Sequence, residues 1–213
     1  MHGSSGVPGP IGGSSIAGVS IADRKRQLVR DELSAAALRL LAFQGFEETT
    51  IDQIVAAAGV SRRTFFRYFR SKEDVIIEFL GDLGTGLREE LAARPIEEPP
   101  AVAVRHALRI FVKTHDEPGD KPLRLARLIF DSPALRARYL ERQRQWQDGL
   151  AAELAARAGL DPAADMRPAL VAGIALAAFD AALARWLAVA GAEDLGALLD
   201  RAFDLVAPAM ALG

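Results

Sequence analysis

The sequence predicts an all-α protein of about nine helices, and three observations carry that prediction. Alanine and leucine dominate, while strand-favouring runs of Val, Ile, Thr and Tyr are scarce. Apolar residues recur at helical spacing along most of the chain. Between these stretches stand helix start and stop signals, Ser, Thr or Asp before and Gly or Pro after. With 213 residues, half of them apolar, the chain can bury a sizeable core in one large domain or two small ones.

Residues 1–20 hold six glycines, five serines and no charge, so they read as an expression leader or disordered tail outside the fold. A first helix follows from about Asp23 to Gln44, with Leu33, Ala37, Leu40 and Leu41 on one face and Gly45 at its end. Thr50 and Gln53 make a capping box for a short second helix, whose buried side is Ile51, Ile54, Val55 and Ala58. Gly59 stops it. Ser61 caps a third helix and Ser71 a fourth, which ends before Pro95. The linker 95–100 (PIEEPP) separates this part from further helices over Ala101–His115, Leu123–Asp131, a Ser132-Pro133 start running to Gly159, Asp165–Ala190 and Asp194–Met210. Two units are expected, over 21–70 and 71–213.

Charge is placed unevenly. The chain carries a net charge of −2, yet Gln53 to Lys72 contains five basic residues and no acidic one. The pattern there is helix, Ala-Gly-Val-Ser turn, helix, and Gly59 supplies the positive φ that a tight turn between crossing helices needs. On a helical wheel Arg62, Arg63, Phe66 and Arg67 cover an arc of about 140°. Phe65 and Phe69 point to the other side and are expected in the core. Arginine pairs in bidentate fashion with guanine, and a ring can lie on a thymine methyl, so this arc suits a major groove. Thr50, Ser61, Thr64, Tyr68 and Lys72 are placed around it, with Lys72 expected beside a phosphate at a helix N-terminus.

Residues 45–76, GFEETTIDQIVAAAGVSRRTFFRYFRSKEDVI, resemble the DNA-binding domain of TetR-type transcriptional regulators. The resemblance implies a helix-turn-helix DNA-binding domain of three helices over 21–70, a helical ligand-binding and dimerisation domain over 71–213, homodimers on a double-stranded operator, and repression relieved by a small molecule. By position it implicates Thr50, Arg62, Arg63, Thr64, Phe66, Tyr68 and Lys72. Arg70 stands where a proline or other short turn residue is frequent, which adds one more positive charge. RLARLIFDSPALRARYLERQRQW at 124–146, with RWL at 185–187, resembles the acyl-CoA-like ligand-binding (mycofactocin-regulator-like) subgroup.

Other chemistry finds no support in the sequence. There is no cysteine, so disulfides and thiolate metal sites are excluded. His106 and His115 lie on opposite sides of one expected helix, and no zinc or iron site, cofactor or catalytic constellation is expected. Glu97-Glu98 and Asp116-Glu117 read as solvated linker carboxylates. The most apolar run, 169–179, spans eleven residues against the roughly 20 of a membrane helix, so the expectation is a cytoplasmic protein with no membrane partner. Asp180 and Arg185 interrupt an otherwise apolar helix, as rim charges, an interface ion pair or a polar contact in a pocket.

Two further sites are expected in the C-terminal part. Phe111, Phe130, Trp146, Phe179 and Trp186 come from separate helices and would line an apolar pocket, with arginines 124, 127, 136, 138, 142 and 144 at its mouth for an anionic head group. Leu176, Leu183, Leu198, Phe203 and Leu205, with Phe179 and Trp186, are candidates for an apolar dimer interface on the last two helices. A constitutive dimeric regulator without an effector is the alternative that the residues leave open.

Overall fold

The computed structural model of the chain describes residues 21–113 and 121–207. Residues 1–20, expected as a leader or tail, His115, Asp116-Glu117 and the expected helix end at Met210 lie outside these residues. Nine α-helices follow one another among the described residues, with no strand: α1 (Ile21–Gln44), α2 (Ile51–Ala57), α3 (Arg62–Tyr68), α4 (Lys72–Ala92), α5 (Pro100–Lys113), α6 (Lys121–Asp131), α7 (Pro133–Ala158), α8 (Arg167–Ala188) and α9 (Leu195–Val206).

Local signals in the sequence set most of the boundaries. The Thr50–Gln53 capping box is formed on both sides. Ser61, Ser71, Ser132 and Asp194 each accept a hydrogen bond from the backbone N–H three residues on. Gly45 and Gly159 end α1 and α7 in left-handed geometry, at φ +91° and +63°. At the end of α8 the left-handed position falls on an alanine, Ala190, at φ +53°. There Gly191 N–H bonds Trp186 O and Ala190 N–H bonds Leu187 O, the two bonds of a Schellman end.

A single apolar cluster runs from Leu33 to Phe203. α4 packs on α1, α5 and α7, so it joins the first three helices to the rest. α8 is the central helix of the larger part, against α5, α6, α7 and α9. It is also long and apolar enough to cross a membrane, which the eleven-residue estimate missed because the apolar pattern continues past Asp180. Half of its most apolar window is buried inside this chain.

The linker after α4 departs from expectation. Glu98 is not a solvated carboxylate: its side chain is only 12% exposed. It accepts two hydrogen bonds from Arg94, at 2.7 and 2.6 Å, and stands 3.0 Å from His106 Nδ1. The bonds from Arg94 hold the Glu98 carboxyl down from 4.5 to about 2, with a smaller contribution from His106. From α7, Arg157 donates to the carbonyls of Leu91, Arg94 and Pro95 and so ties the same linker down.

Candidate nucleic-acid interface

The two short helices are joined by Ala58-Gly59-Val60-Ser61. Gly59 adopts φ +65°, Val60 N–H bonds Val55 O at 3.0 Å, and Gly59 N–H bonds Ala56 O at 3.2 Å. This closed turn spends the last carbonyls of α2 and sets the angle at which α3 leaves. Phe65 and Phe69, at 0% and 1% exposure, anchor the inner side of α3 and its end, with ring centroids 5.6 Å apart. Ile54 and Val55 are buried on α2.

The outer side of α3 is the expected basic arc. Ser61, Arg63, Thr64, Phe66 and Arg67 line one shallow depression. Phe66 is half exposed, its ring held edge-on against Phe65 at 5.4 Å. An apolar ring on a polar face is costly to hydrate and ready to be covered. Arg62 is paired with Asp52 at 2.7 Å across the two helices, an exposed pair of small energetic weight. Arg67 stacks 4.9 Å over Tyr68 and donates to its hydroxyl at 3.3 Å. Tyr68 is half-buried, and Thr50 is exposed at the start of α2.

Lys72 differs from the expectation. Its ammonium turns inward, donating to the carbonyls of Phe46 and Thr49 and lying 4.2 Å from the centroid of the Phe46 ring. Those carbonyls belong to the loop between α1 and α2. Helical spacing places a Cα and says nothing about which acceptor a long side chain finds, and here the ammonium finds two loop carbonyls.

A cavity of about 290 Å³ lies in the larger part. Phe111, Phe130, Trp146 and Phe179 line it as expected, and Phe79 and Tyr139 join them. The rings form a chain from Phe130 through Tyr139, Trp146 and Phe111 to Phe179, with successive centroids 4.9, 5.7, 5.1 and 4.7 Å apart. Trp186 does not belong to it; its ring packs near Gly191 at the end of α8. α1 supplies part of the wall through Asp31, Ser34, Ala35 and Leu38. None of the six arginines expected at its mouth lines this cavity, whose charged lining groups are Asp31, Asp82 and Lys121. Spacing within α6 and α7 shows which residues share a face and does not say which face meets the cavity.

Asp180 and Arg185 are separate features. Tyr139 donates to Asp180 Oδ1 at 2.8 Å and Gln143 donates to Oδ2, so Asp180 braces the cavity wall from behind. Burial, and then the neighbouring Asp180 charge, push the Tyr139 hydroxyl well above its usual 10. Arg185 instead pairs with Glu193, which also accepts from Arg201.

The expected interface set needs correction as well. Leu176, Leu183, Leu198 and Phe203 are buried in this chain's own core, and Leu183 lines the cavity. Only Leu205, at 83% exposure, presents an apolar surface. A period of 3.6 marks which residues share a face, and α8 and α9 each have a second face that the period alone does not assign.

A capped helix pair with a glycine turn and an outward basic arc, carried on an all-helical body, defines a helix-turn-helix regulator of transcription. Residues 33–79 match the family described as bacterial regulatory proteins, tetR family, and residues 98–211 match the MftR C-terminal domain. The chain belongs to the TetR family. It is 34% identical over 199 residues to the HTH-type transcriptional regulator TcmR of Streptomyces glaucescens, covering 90% of this chain and 88% of that one. It is 32% identical over 200 residues to MftR of Mycobacterium tuberculosis, named for regulation of mycofactocin biosynthesis, covering 86% and 91%. Among solved structures, TylP of Streptomyces fradiae superposes with a TM-score of 0.66 at 18% identity, covering 87% of this chain and 88% of that one. FadR of Thermus thermophilus, a repressor solved with lauroyl-CoA, superposes with a TM-score of 0.56 at 26% identity, covering 86% and 96%.

Proposed function

We propose that this DNA-binding regulator is a homodimeric, cytoplasmic repressor that leaves its operator when a small hydrophobic or acyl-CoA-like molecule fills the interior cavity. Residues 21–70 then act as the reader and 71–213 as the sensor and dimerisation unit. The observation that carries the reading is the composition of the cavity wall. One part of it comes from α1, which also packs on α2, and the rest from α4 to α8. A molecule that fits between these helices biases how α1 and α4 sit against the body, and both lead directly into the reading helices. Such a ligand acts by binding the non-reading arrangement better than the reading one.

The chemistry of the lining narrows the ligand. Six rings and several aliphatic side chains suit an apolar body. The lauroyl-CoA carried by FadR of Thermus thermophilus, a relative in fold, supports an acyl chain as one form of that body. The test begins by selecting operators from a random DNA pool. Long-chain acyl-CoA and free coenzyme A are then titrated into the preformed complex at constant ionic strength. Release by the acylated form at far lower concentration than by coenzyme A is expected. Equal release, or none, sinks the effector reading and leaves a constitutive regulator.

A further inference from the structure

A second, polar groove of about 190 Å³ lies between α4 and α7, and Gly81, Gly84, Arg88, Arg142, Trp146 and Gly149 are among its lining residues. Among the described residues Trp146 is the one that lines both this groove and the aromatic cavity. Its indole therefore stands as a partition between an apolar space and a basic one. Two features hold it there: the Nε1–H donates to Leu80 O at 3.2 Å, and the ring occupies the notch left by Gly84. A Cβ at position 84 would lie 2.2 Å from the indole. Glycine inside a helix costs about 1 kcal/mol relative to alanine, so the notch in α4 calls for a packing reason, and the indole is that reason.

The groove side carries positive charge, and among the described residues neither Arg88 nor Arg142 forms an ion pair. Arg142 lies over Gly81, 3.7 Å from where a Cβ would stand, and its hydrogen-bond partner is the neutral Gln145. Arg88 reaches over Gly149 from the opposite helix. The aromatic cavity carries charge of both signs, from Asp31, Asp82 and Lys121, and Asp82 is also reached by Arg30 at 3.4 Å. The groove, by contrast, carries two guanidinium groups and no carboxylate in its lining, so it is the side that attracts an anionic group.

We propose that the Arg88–Arg142 groove is the anion subsite of the effector site, and that Trp146 is the gate joining it to the aromatic cavity. The ligand class is an elongated amphipath with an apolar body and an anionic end, a carboxylate or a phosphate ester. Its body occupies the cavity and its charge lies across the Trp146 position, against both arginines. This rests on the effector reading of the cavity above. Displacing the indole from Gly84 also alters the α4–α7 contact, so occupancy of both spaces is sensed by the helix that carries the reading domain.

The probes are decanoate, which bears the anionic end, and 1-decanol, which does not, titrated into the full-length protein. Decanoate is expected to bind about tenfold or more tighter, the scale of a charge-assisted pair. The double variant R88Q/R142Q is expected to bind decanol within about twofold of the parent and to lose the preference for decanoate. Fluorine NMR of 5-fluorotryptophan-labelled protein, whose two tryptophans are assigned with Trp186→Phe, reads the gate directly. Both probes should move the Trp146 resonance, since its ring lines the cavity, but decanoate further than decanol, and R88Q/R142Q should remove that difference. Equal binding of the two probes by the parent, a preference that survives R88Q/R142Q, or a Trp146 resonance that decanoate moves no further than decanol each overturns the subsite while the cavity reading stands. Binding of neither probe removes the cavity reading and the subsite with it.

Discussion

Arg63 and Lys72 sit nine positions apart and are both basic, yet their surroundings assign them different work. Arg63 is exposed on the depression of α3 beside Phe66. Arg63→Ala should weaken operator binding by about 1–3 kcal/mol and relax preference at one base position, measured by repeating the selection with the variant. Lys72 is bound to two loop carbonyls. Lys72→Ala should cost about 1–3 kcal/mol of folding stability in a urea titration, since those carbonyls lose a charged donor. A variant of unchanged stability but shallower salt dependence of DNA binding would restore the phosphate contact expected from sequence. Ala190 offers a gain instead of a loss. It holds φ +53°, which an L side chain adopts at a cost, so Ala190→Gly should raise stability by up to about 1 kcal/mol. A lower melting temperature for that variant would show that its methyl group packs better than its backbone is strained.

At the scale of elements, the joint between α4 and α5 is one place where pH acts. Glu98 has a folded-state value of about 2 against 4.5 for the free side chain. A carboxyl whose value falls on folding contributes stability that is complete above about 4.5 and disappears as pH drops toward about 2. Glu98→Gln should therefore flatten the acid loss of stability across that window, with the parent and variant curves converging at its lower end. Urea midpoints taken at several pH values decide this, and parallel curves for the two proteins would rule the joint out as an acid-sensitive element. α9 is fixed to α5 in a comparable way, through Arg105 and Arg109 on Asp200 at 2.8 and 2.6 Å.

For the whole molecule, one recognition helix reads too few base pairs for high specificity, and a two-fold pair on a near-palindrome solves that. Leu198 and Ala181 distinguish the two faces of the last helices. Leu198 is buried in its own subunit, so Leu198→Glu should unfold the chain by burying an unpaired charge. Ala181 is on the exposed side of α8, with Ala177 and Ala184 beside it at helical spacing. Ala181→Glu should leave the fold intact and give a monomer with much weaker operator binding, by sedimentation and DNA titration. A folded variant that stays dimeric moves the interface elsewhere.

The reading domain was legible in the sequence because its determinants are local. A capping box, a glycine with positive φ, a serine cap and a basic arc each act within a few residues, and each stands where the spacing placed it. The order of the nine helices follows from the same short-range rules. Four of the five ring residues expected in a pocket do meet there, because large apolar groups from neighbouring helices have few other places to go. What the sequence did not determine depends on rotation and partner choice in three dimensions. Helical periodicity makes Leu176, Leu183, Leu198 and Phe203 an apolar face, but only packing decided that they face their own subunit. Glu97 and Glu98 are adjacent and look alike, and only the approach of Arg94 and His106 selected Glu98. The side of Trp146 on which positive charge lies was likewise decided by the seating of α7 on the glycines of α4, a contact between residues about 60 positions apart that no local rule reaches.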